Sequence, residues 1–189
     1  MATVTEQKQY VLFYKPFQVL CQFSREGDKK TLADFVNVPN VYPAGRLDFD
    51  SEGLVFLTND GRLQHRLTDP RLGHDRTYWV QVEGLISGEA LERLRGGVVF
   101  SGRETLPCRA EAMAEPSLPE RQPPVRFRKS IPTSWLSLTL REGRNRQVRH
   151  MTAAVGFPTL RLVRAAIGKW TLDGLAPGKW RKLSAGEIA

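Results

Sequence analysis

Three carboxylates crowd into ten residues, Gly45-Arg46-Leu47-Asp48-Phe49-Asp50-Ser51-Glu52-Gly53-Leu54. A carboxylate can act as a nucleophile, as a general acid or base, or as half of an ion pair, and its surroundings decide which. Asp50 and Glu52 read as solvated carboxylates of a turn, so turnover is expected to survive their neutralisation. Asp48 differs because it follows Arg46 and Leu47 just ahead of an apolar run, Leu54 to Leu57, that reads as a buried strand. A distant segment, Glu142-Gly143-Arg144-Asn145-Arg146-Gln147-Val148-Arg149, places Arg146 and Arg149 one helical turn apart. A carboxylate held by such an arginine stays ionised and oriented, which suits a nucleophile better than a general acid. Spacing alone weighs a structural ion pair equally.

The elements that must position these groups alternate between two periodicities. Tyr10 to Tyr14 reads as a strand stopped by Lys15-Pro16, preceded by a polar tail, Met1 to Gln9. Thr31 is a candidate N-cap for a short helix through Val36, ended near Pro39. After the turn Asn59-Asp60-Gly61, Leu63 and Leu67 mark one helical face. Thr77 to Glu83 alternates like a half-buried strand and carries Tyr78; Ser87 then caps a helix whose Leu91 and Leu94 face inward until Gly96-Gly97. Strand Trp135 to Leu140 leads through Glu142 to Asn145, a candidate cap, into a helix with Val148, Met151, Thr152 and Val155 on one side, ended by Gly156. The unpaired N–H groups at that helix start favour an anion beside Arg146 and Arg149. Leu160 to Val163, Trp170 to Leu172 and Lys179 to Leu183 read as short strands. Pro116 to Pro132 holds Pro119, Pro123, Pro124, Arg121, Arg126, Arg128 and Lys129 and reads as an extended surface insertion. The sum is an α+β chain with a mixed, largely antiparallel sheet and no Gly-rich nucleotide fingerprint.

Composition narrows the partner. The chain of 189 residues carries 28 Lys plus Arg against 20 Asp plus Glu, a net charge of +8. The excess is local, since Arg141 to Lys182 holds ten basic residues against Glu142 and Asp173 while the first 140 residues are nearly balanced. With Trp170 and Trp180 in the same stretch, a phosphate-tracking surface is favoured over a merely solvated face. Cys21 and Cys108 lack metal-ligand spacing, and His65, His74 and His150 do not complete a zinc site. No stretch approaches membrane-spanning length, so a cytoplasmic protein without membrane association is expected.

The segment Gly45-Arg46-Leu47-Asp48-x-x-Ser51-Glu52-Gly53-Leu54 resembles the catalytic motif of the pseudouridine synthases of the RsuA type. Three further matches follow in order. Lys15-Pro16 resembles the family's first motif, Thr77-Tyr78-x-Val80 its tyrosine-bearing strand, and Glu142 to Arg149 its third motif. The resemblance spans Tyr10 to Leu183 and implies an uninterrupted catalytic domain over residues 10–189, folded as two lobes around a basic cleft. Within the family, the missing N-terminal S4-like module and the basic proline-rich insertion resemble a branch acting on large-subunit ribosomal RNA.

The resemblance implies that uracil is detached from its ribose, turned and rejoined through carbon, with neither cofactor nor metal. It gives Asp48 the nucleophile's role, Tyr78 a stacking and proton-transfer role, and Arg149 the pairing with the nucleophile, a role that Arg146 could exchange with it. Arg46 would occupy the space of a base extruded from its stack, an event costing a few kcal/mol. Asn145, Arg146, Lys15, Arg161 and Arg164 are candidate substrate contacts, the last two and Lys15 to phosphates. The expected partner is ribosomal RNA or a ribosomal-subunit precursor, bound by a monomer. Phe49 and His150 depart from the family pattern without removing a catalytic group. Two other readings compete: a catalytically silent RNA-binding module, which would not need Asp48, and a glycoside hydrolase, which needs carboxyl groups on opposite sides of a sugar.

Overall fold

The computed structural model of the protein describes residues 7–126, 128 and 130–188. Met1 to Glu6 of the expected tail and Lys129 of the expected insertion lie outside the described residues. In chain order the strands and helices are β1 (Tyr10–Lys15), β2 (Val19–Leu20), β3 (Lys30–Thr31), β4 (Tyr42–Pro43), β5 (Glu52–Thr58), α1 (Gly61–Thr68), β6 (Arg76–Glu83) and α2 (Gly88–Gly96). There follow β7 (Val99–Phe100), β8 (Arg103–Glu104), β9 (Arg109–Met113), β10 (Thr133–Leu140), α3 (Gln147–Ala154), β11 (Thr159–Ile167), β12 (Trp170–Thr171), β13 (Trp180–Lys182) and α4 (Ala185–Ile188).

One sheet organises the molecule in the order β13-β1-β5-β11-β6-β10-β9, with β12 and β4 appended to β11 and β5. Its pairings are antiparallel except β11 beside β5, so the mixed, largely antiparallel expectation holds. The apolar runs explain its centre. Along β1, Leu12 and Tyr14 enter one cluster while Val11 and Phe13 enter another, and β5 splits Leu54 and Phe56 from Val55 and Leu57 in the same way. Strands buried on both faces need no polar alternation, and these two have almost none. A third cluster joins Val80 and Val82 of β6, Leu136 and Leu138 of β10, Leu91 and Leu94 of α2 and Val148 and Met151 of α3. Tyr78 packs against this cluster and against that of Val11 and Phe13.

The caps follow the side-chain chemistry. Asp60 accepts from the backbone N–H of Arg62 and Leu63 at the start of α1, and Ser87 from Ala90 at the start of α2. The Thr31 helix is a single 3₁₀ turn, Leu32–Asp34, closed by a capping box with Asp34. Gln9, in the polar stretch ahead of β1, donates its N–H to Asn59 Oδ1 at 2.7 Å. The described part of Pro116 to Pro132 has no regular structure, as expected, but it is docked. Leu118 packs beside the cluster of Leu12 and Leu54, and the Arg121 guanidinium lies over the Phe17 ring at 4.0 Å.

Candidate active site

A cavity of about 400 Å³ opens where the β4–β5 loop faces the start of α3, a volume within the ~300–1,000 Å³ of typical ligand sites. Its wall includes Gly45, Arg46, Leu47, Asp48 and Ser51 from the loop, Tyr78 from β6, Arg164 from β11, and Glu142 through Val148. Segments more than a hundred residues apart, from Gly45 to Arg164, thus converge on one space. Five arginines line it, Arg46, Arg76, Arg144, Arg146 and Arg164, against the two carboxylates Asp48 and Glu142. That balance suits a polyanion.

Glycine geometry seats the loop. Gly53 has φ +112, and a Cβ there would lie 2.4 Å from the Arg164 carbonyl oxygen, so only glycine lets β5 and β11 come together at this point. The contact fixes Ser51 and Asp48 relative to the strand that carries Arg164, whose partner across the other edge is Tyr78. Ser51 N–H closes a turn onto the Asp48 carbonyl at 3.1 Å, and Gln18 N–H holds the Phe49 carbonyl at 2.9 Å. Among the described residues, no cation reaches ion-pair distance of the Asp48 carboxylate. Arg146, Arg149 and Lys15 act on it through space.

The arginines of the third segment are held by Asp50. Arg146 donates from both terminal nitrogens to the two Asp50 carboxylate oxygens at 2.8 Å each. Arg149 Nη2 donates to the Asp50 backbone carbonyl at 2.6 Å and lies 3.4 Å from its Oδ2. Burial opposes the Asp50 charge, yet the Arg146 hydrogen bonds and both guanidinium charges hold the carboxyl below its ordinary range. Burial pulls Arg149 down in turn, and the charges of Asp50 first and then Asp48 counter it. This corrects two expectations: Asp50 is not merely a solvated turn residue, and Arg149 pairs with Asp50 rather than with Asp48.

Arg146 itself is the residue ahead of α3, in the left-handed region at φ 52, ψ 29. A non-glycine residue there costs about 1–2 kcal/mol, and such strain gathers at functional sites. Among the described residues no side chain caps the helix start, contrary to the cap expected among Glu142 to Asn145; Arg144 N–H donates to Gln147 Oε1 while Gln147 Nε2 donates to Glu142 Oε1, which ties the turn ahead of α3 to its first residue. Arg144 also donates to the Glu104 carbonyl and stacks on Phe100 at 4.3 Å, with His150 on the same ring.

Four more assignments change, those of Lys15, Arg161, Glu52 and Arg164. Lys15 is fully buried, its ammonium donating to the carbonyls of Val19 at 2.7 Å and Pro16 at 3.0 Å, so it cannot meet a phosphate as expected. Burial pushes its pKa down to about 8, and its bonds fix the turn that presents Gln18 to Phe49. Arg161 is likewise unavailable, because Glu52 takes it in a buried bidentate pair at 2.8 and 2.9 Å and Pro119 of the insertion accepts a third bond. Glu52 is therefore no solvated carboxylate; removing one member of such a pair costs about 3–5 kcal/mol. Arg46 and Asn145 are exposed on the cavity wall, where expected. Arg164 lines the cavity too, but as a buried side chain donating to the Leu54 carbonyl at 2.7 Å. Arg76, half-buried in the same wall and bonded to the Leu67 carbonyl, was not among the expected residues. Its only sequence signal is its place one residue before Thr77-Tyr78.

The Asp48 carboxylate, with no ion-pair partner among the described residues and sharing an arginine-walled cavity with Tyr78, can offer a nucleophile to a bound polyanion. The sequence profile of the family described as RNA pseudouridylate synthase matches residues 9–154. The ribosomal large subunit pseudouridine synthase E of Xanthomonas axonopodis pv. citri is 58% identical over 88% of this chain and 90% of its own length. The protein of the same name from Vibrio vulnificus is 54% identical over 94% of this chain and 76% of its own. A crystal structure titled pseudouridylate synthase superposes with a TM-score of 0.81 at 31% identity, covering 98% of this chain and 74% of that one. A profile match over three quarters of the chain, together with relatives at more than half identity, shows that the chain belongs to the RNA pseudouridylate synthase family.

Proposed function

We propose that this protein isomerises one uridine of large-subunit ribosomal RNA to pseudouridine, with Asp48 as the nucleophile and Tyr78 against the uracil. The observation that carries the reading is the convergence of Asp48, Tyr78 and five arginines on one cavity, in a chain more than half identical to large-subunit synthases. The target base leaves its stack to enter, and exposed Arg46 fills the space behind it. Arg146 and Arg149, locked on Asp50, keep the Asp48 loop against α3 and add positive potential to the cavity. The protein acts as a cytoplasmic monomer on ribosomal RNA or on a precursor of the large subunit. No helix among the described residues is long and apolar enough to cross a membrane.

The test is a map of pseudouridine in ribosomal RNA from cells lacking the gene, repeated with the gene restored. One large-subunit uridine should lose and regain the modification; an unchanged map refutes the assignment.

RNA binding should weaken steeply with salt, because each phosphate neutralised by these arginines releases counterions. Three single-strand phosphates correspond to a loss of roughly twentyfold in affinity between 50 and 200 mM salt. Filter binding that stays constant over this range would remove the phosphate-tracking role.

A further inference from the structure

We propose that Arg164 and Ser51 stabilise the uracil as it leaves the ribose, an inference that rests on the isomerase reading above. Both residues line the cavity that holds Asp48 and Tyr78, and both are almost completely buried, Ser51 at 1% and Arg164 at 3% exposure. Each carries a buried polar atom, Ser51 Oγ and Arg164 Nη2, with no hydrogen-bond partner among the described residues. Buried donors are nearly always satisfied, and one left alone costs about 1–3 kcal/mol. The rest of Arg164 is firmly fixed. Its Nε donates to the Leu54 carbonyl at 2.7 Å, and its backbone sits against Gly53, where no Cβ could fit. An anchored guanidinium with an unused edge and an unused hydroxyl from the adjoining loop, both in the wall of one cavity, make a preorganised donor pair.

The depth of the pair selects its ligand. Phosphates belong to the exposed rim, where Arg46 and Arg146 lie, whereas a buried pair beside Tyr78 meets the base. Detachment breaks the bond between ribose C1′ and uracil N1, and the electron pair leaves with the base. The uracil is then a monoanion whose charge spreads onto its carbonyl oxygens, while C1′ is left electron-poor facing the Asp48 carboxylate. Rejoining forms the bond from C1′ to C5, after which C5 gives up its proton and N1 takes one. Hydrogen bonds from N–H and O–H donors to a carbonyl oxygen of the base are stronger in the anionic stage than toward neutral uridine, so they accelerate detachment rather than tighten binding.

The experiment compares Arg164→Met, Ser51→Ala and the wild type in single-turnover reactions on two RNAs, one with uridine and one with 5-fluorouridine at the target. Disappearance of the starting nucleoside, which reads detachment and rejoining without the final loss of a proton from C5 that fluorine blocks, is followed by chromatography of the released nucleosides, beside filter binding and thermal melts. Fluorine at carbon 5 makes the base a more acidic leaving group that needs less help. With uridine, Arg164→Met should slow conversion about 10²-fold, the scale of one lost oxyanion donor, and Ser51→Ala by less, with RNA affinity unchanged. With 5-fluorouridine both losses should shrink by about tenfold. Equal losses on the two bases, or losses that appear in affinity instead of rate, overturn the proposal. Ser51→Ala removes a single oxygen and keeps the test decisive if Arg164→Met folds poorly. Wild-type protein that fails to convert uridine overturns the isomerase reading, and this proposal with it.

Discussion

Asp48→Asn is expected to lower isomerisation by more than about 10⁴-fold in a protein that still folds and binds RNA, the scale on which loss of a covalent nucleophile acts. Asparagine keeps the size of the side chain and much of its hydrogen bonding while removing the charge. Structural disturbance should be slight, because no described cation is ion-paired with Asp48 and the side chain is only partly buried. Changes at such positions stay within about 0.5 kcal/mol, a melting shift of roughly 1–2 °C for a chain of this size. RNA affinity should hold or rise slightly, since one negative charge leaves a cavity walled by arginines. The assay is release of tritium from carbon 5 of labelled uridine in ribosomal RNA, run beside melts and filter binding. Substantial turnover by the folded variant ends the nucleophile assignment. A silent RNA-binding module predicts no difference between wild type and variant, because neither would turn over.

Local chemistry was readable along the chain, and pairing between distant segments was not. Leu54 to Leu57, the Ser87 cap with Leu91 and Leu94, and the Val148 and Met151 face of α3 depend on neighbours within a few residues, and each lies where its pattern places it. By contrast, Arg109-Ala-Glu-Ala-Met113 is helix-favouring in composition, yet forms β9 because the edge of β10 pairs it. The same limit applied to the site. Asp50 and Glu52 look like turn carboxylates until their partners, 96 and 109 residues later, are in place. Lys15 follows four buried residues of β1 and continues the strand inward, a position its charge disguised. Asp48 and Tyr78 were found from motif resemblance, since spacing alone left the aspartate evenly balanced against an ion pair and the tyrosine an ordinary core residue.

Asp50→Asn is expected to cost both rate and stability, the pattern that separates it from Asp48→Asn. Neutralising Asp50 leaves Arg146 without its bidentate partner and Arg149, only 14% exposed, without the carboxylate that offsets its burial. A fully buried pair would lose about 3–5 kcal/mol on such a change, but Asp50 is a third exposed and solvent screens it, so ~1–3 kcal/mol is expected. The melting temperature should drop by several degrees on the scale of roughly 2–4 °C per kcal/mol. The rate should fall on the order of 10²-fold, because the start of α3 and the Asp48 loop are no longer locked and a displacement near 1 Å suffices for that loss. The remaining turnover should exceed that of Asp48→Asn by about a hundredfold. Adding Arg146→Met to Asp50→Asn provides the internal control: if the two side chains act as one unit, the double variant should lose little beyond the single ones. Full activity in a folded Asp50→Asn protein would show that the Asp48 loop keeps its place without the two arginines, held instead by anchors such as Gly53 against Arg164, Gln18 against Phe49 and the buried Glu52–Arg161 pair.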